Sequence, residues 1–285
     1  VYGTAFLDLA YKNNLGYFFT DKLLPKKALS KIMGFIESSP ASAKKIPEFV
    51  KAYDIDMSLY VEKKFTSFND FFIRQFKAGK RDFNPDPKVF CAGAEARYLA
   101  FENIPANQKI KVKGIDVQLS ALLGGGERGK TLAQQFDGGI VIVARLCPVD
   151  YHRYHFPVSG VKSLHYTVHG KLHSVNPVAL ETNPEIFLIN ERQVAILDTV
   201  DFGKVAMIEV GALGVGKIIQ SAYQENDAHA VKFEKGAEKG YFLFGGSTVI
   251  WLLQKDKLKL SEDLRSNSLK GIETWIPLGD PLGER

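Results

Sequence analysis

Two hydrophobic textures divide the chain. From Val1 to about Lys80, apolar residues recur at helical spacing, as in AFLDLAYKNNLGYFFTDKLLPKKALSKIMGFI, and Pro25, Gly34 and Pro40 cut the pattern into short helices. Phe18, Phe19, Leu23, Leu24, Leu29, Ile32 and Phe35 make one face, and Lys22, Lys26, Lys27 and Lys31 the other. This pairing suits a helical layer on the protein's own core, or helices lying in a membrane interface with lysines toward the headgroups. A further helix is predicted in TSFNDFFIRQF, where Thr66 or Ser67 supplies an N-cap and Asp70 falls in the first turn.

From about Arg81 the period shortens. GGIVIVARL, QVAILDTV, GKVAMIEVG and YFLFGGSTVIWLL are short runs of β-branched and aromatic residues bounded by Gly, Asp or Pro. Their spacing resembles antiparallel sheets more than alternating strands and helices, so the expected fold class is α+β. It is a β-rich antiparallel domain over 81–285 with a helical layer over 1–80. LLGGGERGK lacks the spacing of a phosphate-binding P-loop and reads as a flexible loop. The run YFLFGGSTVIWLL poses a question of its own. Gly245 and Gly246 bring no side chain to pack and weaken a strand, so they imply a bulge, a close approach, or room for the Ser247 hydroxyl to reach the preceding carbonyl.

Composition narrows the classes. The 285 residues are 45% hydrophobic and 24% charged, enough for a substantial core in one or two domains. Cys91 and Cys147 are the only cysteines, so no disulfide framework builds the fold. A net charge of +5 without a dense Lys/Arg stripe argues against nucleic acid and suits a weakly anionic surface such as a phospholipid headgroup layer. No apolar run reaches the roughly 20 residues that span a bilayer. The beginning of the chain shows no signal-peptide pattern, and a start at Val1 without Met leaves room for an upstream segment.

Six histidines are few enough to inspect singly. PVDYHRYHFP holds His152 and His155, which would face opposite sides of an extended strand unless the chain bends toward Pro157. A general acid/base pair, a zinc site and a structural pair all remain open from this stretch. His165, His169 and His173 are four apart, but Gly170 and β-branched neighbours argue for strand and turn, so no metal is expected. Ser247 does not sit in a Gly-x-Ser-x-Gly elbow, because position 249 is Val.

Four segments in order carry a resemblance. SFNDFFIRQFKAGKR (Ser67 to Arg81), DYHRYHFPVSG (Asp150 to Gly160), GKLHSVNP with INERQV, and YFLFGGSTV are similar to segments of the pyruvoyl-dependent phosphatidylserine decarboxylases, nearly end to end. The resemblance implies that the Ser247 hydroxyl attacks the Gly246 carbonyl, that the resulting ester breaks by β-elimination, and that Ser247 becomes a pyruvoyl group. The chain would thus be cut between Gly246 and Ser247, and the ketone would serve as electron sink when CO2 leaves phosphatidylserine. The glycines would leave the attacked carbonyl unshielded. The resemblance gives His155 the part of base for the cut and His152 a part in decarboxylation. It places the acid of an Asp-His-Ser triad at Glu95 in FCAGAEARYLAF, aligned on Arg97, where the family has aspartate. A shift of one residue would put Ala94 there.

The same resemblance implies an enzyme at a membrane surface whose partners are phosphatidylserine and an anionic bilayer. Phe18, Phe19, Leu23, Lys22, Lys26 and Lys27 become expected membrane contacts. The two fragments are expected to stay together, and a homodimer is compatible. The location implied is peripheral, on the cytoplasmic face in a bacterium or an organellar membrane in a eukaryote. Two alternatives stand: an unprocessed, silent lipid-binding relative, and a decarboxylase of another serine-headed phospholipid.

Overall fold

A strand that is apolar on both faces needs cover on both sides, and the central runs of this chain are of that kind. A computed structural model describes residues 34–106, 110–112, 115–172, 186–212, 217–223, 229–245 and 247–285. In chain order the strands are β1 (Val89–Cys91), β2 (Ala96–Ile104), β3 (Ile110–Val112), β4 (Ile115–Val117), β5 (Gly139–Leu146), β6 (Arg153–His155), β7 (Gly160–Val168) and β8 (Arg192–Thr199). They continue as β9 (Gly203–Val210), β10 (Ile218–Gln220), β11 (Val231–Phe233), β12 (Glu238–Phe242), β13 (Ser247–Leu253), β14 (Lys259–Leu260), β15 (Thr274–Ile276) and β16 (Pro281–Glu284).

An eight-stranded sheet, ordered β11-β7-β8-β9-β13-β5-β2-β15, forms the centre, and its ladders are antiparallel. Every residue of β13 is buried, with β9 on one side and β5 on the other. A small sheet, β10-β12-β6, packs beside it, and a third pairs β1, β16 and β14. The core joins Tyr98, Tyr154, Phe242, Val249 and Trp251 in one apolar cluster. The fold is the β-rich antiparallel α+β arrangement read from the sequence.

Helices cover the N-terminal side. Ser67 caps the helix Phe68–Phe72 by accepting from Asp70 N at 3.1 Å, and Asp70 Oδ2 accepts from Thr66 N at 2.9 Å. Asp70 is in the first turn, as predicted. Phe68, Phe71 and Phe72 pack with Phe49 from the helix Ile46–Ala52, and with Val149 and Phe244. The described part of 1–80 therefore shares a core with the segment that leads into β13.

One expectation fails. LLGGGERGK is no flexible loop but the junction of two helices, Leu119–Leu122 and Gly126–Gln134. Gly124, Gly125 and Gly126 take φ of 99°, 68° and 59°, which turn the chain between them. Gly129 lets the helices touch, since a Cβ there would lie 2.4 Å from the Ser120 carbonyl oxygen. Three glycines look like mobility in a sequence, yet here each answers a fixed geometry.

Candidate active site

Ser247 opens the most buried strand of the molecule at the point where the chain passes from the small sheet to the large one. β12 ends at Phe242, whose N–H donates to His152 O at 2.9 Å. Leu243 N donates to Lys217 O at 3.3 Å, and Phe244 N to the Asn69 side-chain oxygen at 2.8 Å. Gly245 then takes φ 147°, a conformation that suits glycine and not an L side chain. Gly246 lies outside the described residues. Ser247 pairs with Leu146 of β5, and Thr248 with Arg145 and Val210. Both hydroxyls are fully buried and have no hydrogen-bond partner among the described residues. A buried polar atom in that state costs about 1–3 kcal/mol, so its place in the structure calls for a reason.

The histidine segment is anchored by Asp150. Its carboxylate accepts from Cys147 N and from Arg97 Nη1, each at 2.7 Å. Its carbonyl faces His152 Nδ1 at 2.9 Å. A carbonyl only accepts, so Nδ1 carries the proton and Nε2 presents a bare lone pair. That Nε2 is buried with no partner among the described residues, and the ring lies on Phe72 at 3.9 Å between centroids. Burial drives the His152 pKa down to about 3, so the ring is neutral.

His155 ends β6 and has surroundings of its own. Its Nδ1 donates to Gly236 O at 2.8 Å, which again leaves Nε2 as the basic nitrogen, 3.4 Å from the Tyr151 hydroxyl. Burial lowers its pKa as well. The ring borders a cavity of about 350 Å³ that is also lined by Arg81, Phe83, Tyr151 and Glu238. Gly93 lets this strand approach β13, since a Cβ there would lie 2.6 Å from His155 O and 2.9 Å from the Trp251 ring.

Glu95 is buried and turned toward Arg81, whose Nε donates to Oε2 at 2.7 Å. Burial raises its pKa, and Arg81 opposes that rise. Among the described residues no hydrogen bond joins Glu95 to His152 or His155. Ala94, one residue before, holds the Tyr98 hydroxyl through its N and O at 3.3 and 2.6 Å.

A buried serine behind two glycines, with two neutral histidines on a neighbouring segment, can be compared with known proteins. A sequence profile described as phosphatidylserine decarboxylase matches residues 68–270. A phosphatidylserine decarboxylase proenzyme of Clostridium botulinum (strain Langeland, type F) is 38% identical over 287 residues, covering 100% of this chain and 94% of the relative. One from Clostridium perfringens (strain ATCC 13124) is 36% identical, covering 100% and 95%. The chain belongs to the phosphatidylserine decarboxylase family.

Within that family frame, the residues named from sequence fall into two groups. His152 is tied to the segment before Ser247, since Phe72 touches both the His152 ring and Phe244. His155 and Glu95 both lie toward Arg81, each with another partner. His165 is buried in β7, and His169 beyond it is exposed. His173 lies outside the described residues, as do the expected membrane contacts Phe18, Phe19, Leu23, Lys22, Lys26 and Lys27 and their neighbour Lys31. Sequence reasoning passed over Asn69, Tyr151, Gly93 and the buried pair Glu209–Lys239. The Asn69 signal was in view: a polar residue between phenylalanines in SFNDFF needs a buried partner.

Proposed function

We propose that this chain is a self-processing phosphatidylserine decarboxylase, forming phosphatidylethanolamine and CO2 through a pyruvoyl group made from Ser247. The observation that carries this reading is the buried Ser247 hydroxyl, without a hydrogen-bond partner among the described residues, at the head of β13 directly after two glycines. In the proposed cut, the Ser247 oxygen bonds to the Gly246 carbonyl carbon as the amide bond breaks, and the Ser247 nitrogen takes up the hydroxyl proton. Loss of the Ser247 α-proton then expels the Gly246 carboxylate, and water releases the nitrogen as ammonia. The residues fit such a group, because Ser247 is fully buried and among the described residues its hydroxyl has no competing partner. When formed, the ketone supplies an electron sink for loss of CO2.

His155 is the proposed base for the cut, since its Nδ1–H bond to Gly236 leaves Nε2 as the basic nitrogen, which would take the proton in exchange for its long contact with the Tyr151 hydroxyl. His152 is the proposed proton donor in turnover. Burial keeps it neutral in the uncut chain, with the bare Nε2 as the atom that would take up and pass on a proton. Glu95 joins His155 as third member only if the His155 Nδ1–H exchanges Gly236 O for the Glu95 carboxylate, whose Oε2 is held by Arg81. That pairing also favours a second reading, a silent lipid-binding relative. A relative acting on another serine-headed phospholipid is separated by assaying that lipid beside phosphatidylserine.

A denaturing gel with intact-mass analysis tests the proposal. The active protein should give two chains, the smaller beginning with a pyruvoyl group in place of Ser247, and Ser247→Ala should stay whole. Active protein of full-length mass would refute it. The fragments are expected to stay associated, because β13 lies between β9 and β5 of the larger one.

Lipid is drawn from a bilayer, so the 1–80 region is the proposed membrane-associating part of the protein and 81–285 its catalytic domain. Phe18, Phe19 and Leu23 would insert, with Lys22, Lys26 and Lys27 at the headgroups. Among the described residues no helix is long and apolar enough to cross a membrane. Sedimentation with anionic vesicles should weaken in high salt and on removal of residues 1–36; a folded truncation that sediments equally would exclude the membrane role.

A further inference from the structure

The space between the large sheet and the β10-β12-β6 sheet is filled by Tyr154, Phe242, Val249 and Trp251, and a charged cross-link runs through it. Lys239 of β12 and Glu209 of β9 are both fully buried, with Nζ 2.8 Å from Oε1. Gln220 of β10 bridges them: its Nε2 donates to Glu209 Oε2 at 3.0 Å, and its Oε1 accepts from Lys239 at 3.0 Å. The same Nε2 donates to Gln193 Oε1 of β8 at 2.6 Å. The ammonium also lies over the rings of Tyr154 and Tyr223, at 5.6 and 5.2 Å.

A buried pair of this kind adds little to stability, because removing two charges from water offsets most of their attraction. Its hydrogen bonds are directional, whereas apolar side chains tolerate sliding. Register places Val249 opposite Glu209, so Glu209 and Ser247 lie on the same face of the large sheet, one strand apart. Lys239 stands on the strand that leads to the cut, three residues before Phe242. The cross-link thus ties the strand that enters the scissile segment to the sheet that holds the nucleophile.

We propose that the Glu209–Lys239 pair, bridged by Gln220, is a positioning device for self-cleavage: it fixes where β12 lies over the central sheet, and so where the chain enters Ser247. This rests on the self-processing reading above. Neither residue is given a role at the reacting atoms.

The test uses the full chain. Glu209→Leu with Lys239→Met replaces the pair by apolar groups and leaves no charge stranded. It should melt at or above the wild-type temperature yet cleave about 10- to 100-fold more slowly, the scale on which small misplacements of reacting groups act. Amide exchange at Phe242, Leu243 and Phe244 should quicken. The swap Glu209→Lys with Lys239→Glu should restore both rates, because amide flips of Gln220 and Gln193 can serve the reversed pair. If the apolar pair fails to fold, Gln220→Ala, which keeps both charges, is read in the same way. Wild-type cleavage and exchange in the variants would overturn the proposal, as would a slow variant that melts correspondingly lower and is not rescued by the swap. A wild-type chain that never cuts would defeat the self-processing reading instead, and the exchange rates would still decide whether the pair holds the segment.

Discussion

Asn69 offers the sharpest separation between fold and chemistry. Its Oδ1 accepts from Phe244 N at 2.8 Å, three residues before Ser247, while its Nδ2 donates to Ser38 Oγ at 2.9 Å and Gly34 O at 3.3 Å. Asn69→Ala breaks both sides. Two good hydrogen bonds at about 1 kcal/mol each, with a partly buried N–H left unpaired, give a loss of about 2–4 kcal/mol. That is a large share of a typical stability of about 5–15 kcal/mol, but it leaves the chain folded well below its melting temperature. Asn69→Asp keeps the acceptor for Phe244 and turns a second carboxyl oxygen toward Ser38 and Gly34, where a donor is needed. The two variants should therefore lose similar stability through the helical side while differing at the cleavage segment. Refolding each at low temperature and following conversion of one chain to two on a gel should show Asn69→Asp cutting clearly faster than Asn69→Ala. Equal rates at equal stability would mean that the Phe244 tether does not guide the cut.

The ion pair at Glu95 gives a test of the carboxylate. If Glu95 serves His155 as an anion, Glu95→Gln should slow cleavage, and Arg81→Gln should slow it too, because the buried carboxyl loses the cation that opposes its protonation; wild-type cleavage in Glu95→Gln would mean that Glu95 holds only the fold. His152 sets a pH dependence, because the folded ring has a pKa of about 3 against an unfolded value of about 6.5. Above that range the ring is neutral in both states and adds no slope. Between pH 6.5 and 3 the unfolded chain binds a proton that the folded chain does not, so stability falls by about 1.4 kcal/mol per unit as pH drops. Urea melts at pH 6 and 4.5 should show a shallower fall in His152→Gln, and an unchanged slope would contradict a buried neutral ring.

The large sheet was legible because its central runs are apolar and short, and the Ser67 cap because a hydroxyl preceded an aspartate at capping distance. Pairing across long separations left no mark in the sequence. Nothing local in EKGYF announces that Lys239 meets Glu209, because both read as ordinary surface charges until β12 is laid over β9. Glu95 is the clearest case: alignment on Arg97 gave its place in the chain, but a carboxylate has no direction in a sequence, and Arg81 decides which way it points. The glycines of LLGGGERGK misled for a related reason, since positive φ and close helix contact leave the same mark as mobility.

The position of the proposed cut explains how the site can leave polar atoms unsatisfied. Ser247 and Thr248 are fully buried without hydrogen-bond partners among the described residues, and a short, isolated strand would avoid that cost by turning its hydroxyls to water. β13 cannot do so, because ladders to β5 and β9 hold it from Ser247 to Leu253 on one side and from Thr248 to Leu253 on the other. The segment before it is held less regularly, by single bonds from Phe242, Leu243 and Phe244 to three different elements. In the proposed cut, the ladder-held Ser247 would be the fixed partner and the chain that enters it the adjustable one. The same ladders act after a cut: residues 247–285 also contribute β15 to β2 and β16 to β1. Breaking one peptide bond at this point removes none of those contacts, so the ladders that keep the hydroxyls from water would also keep the two fragments in one molecule.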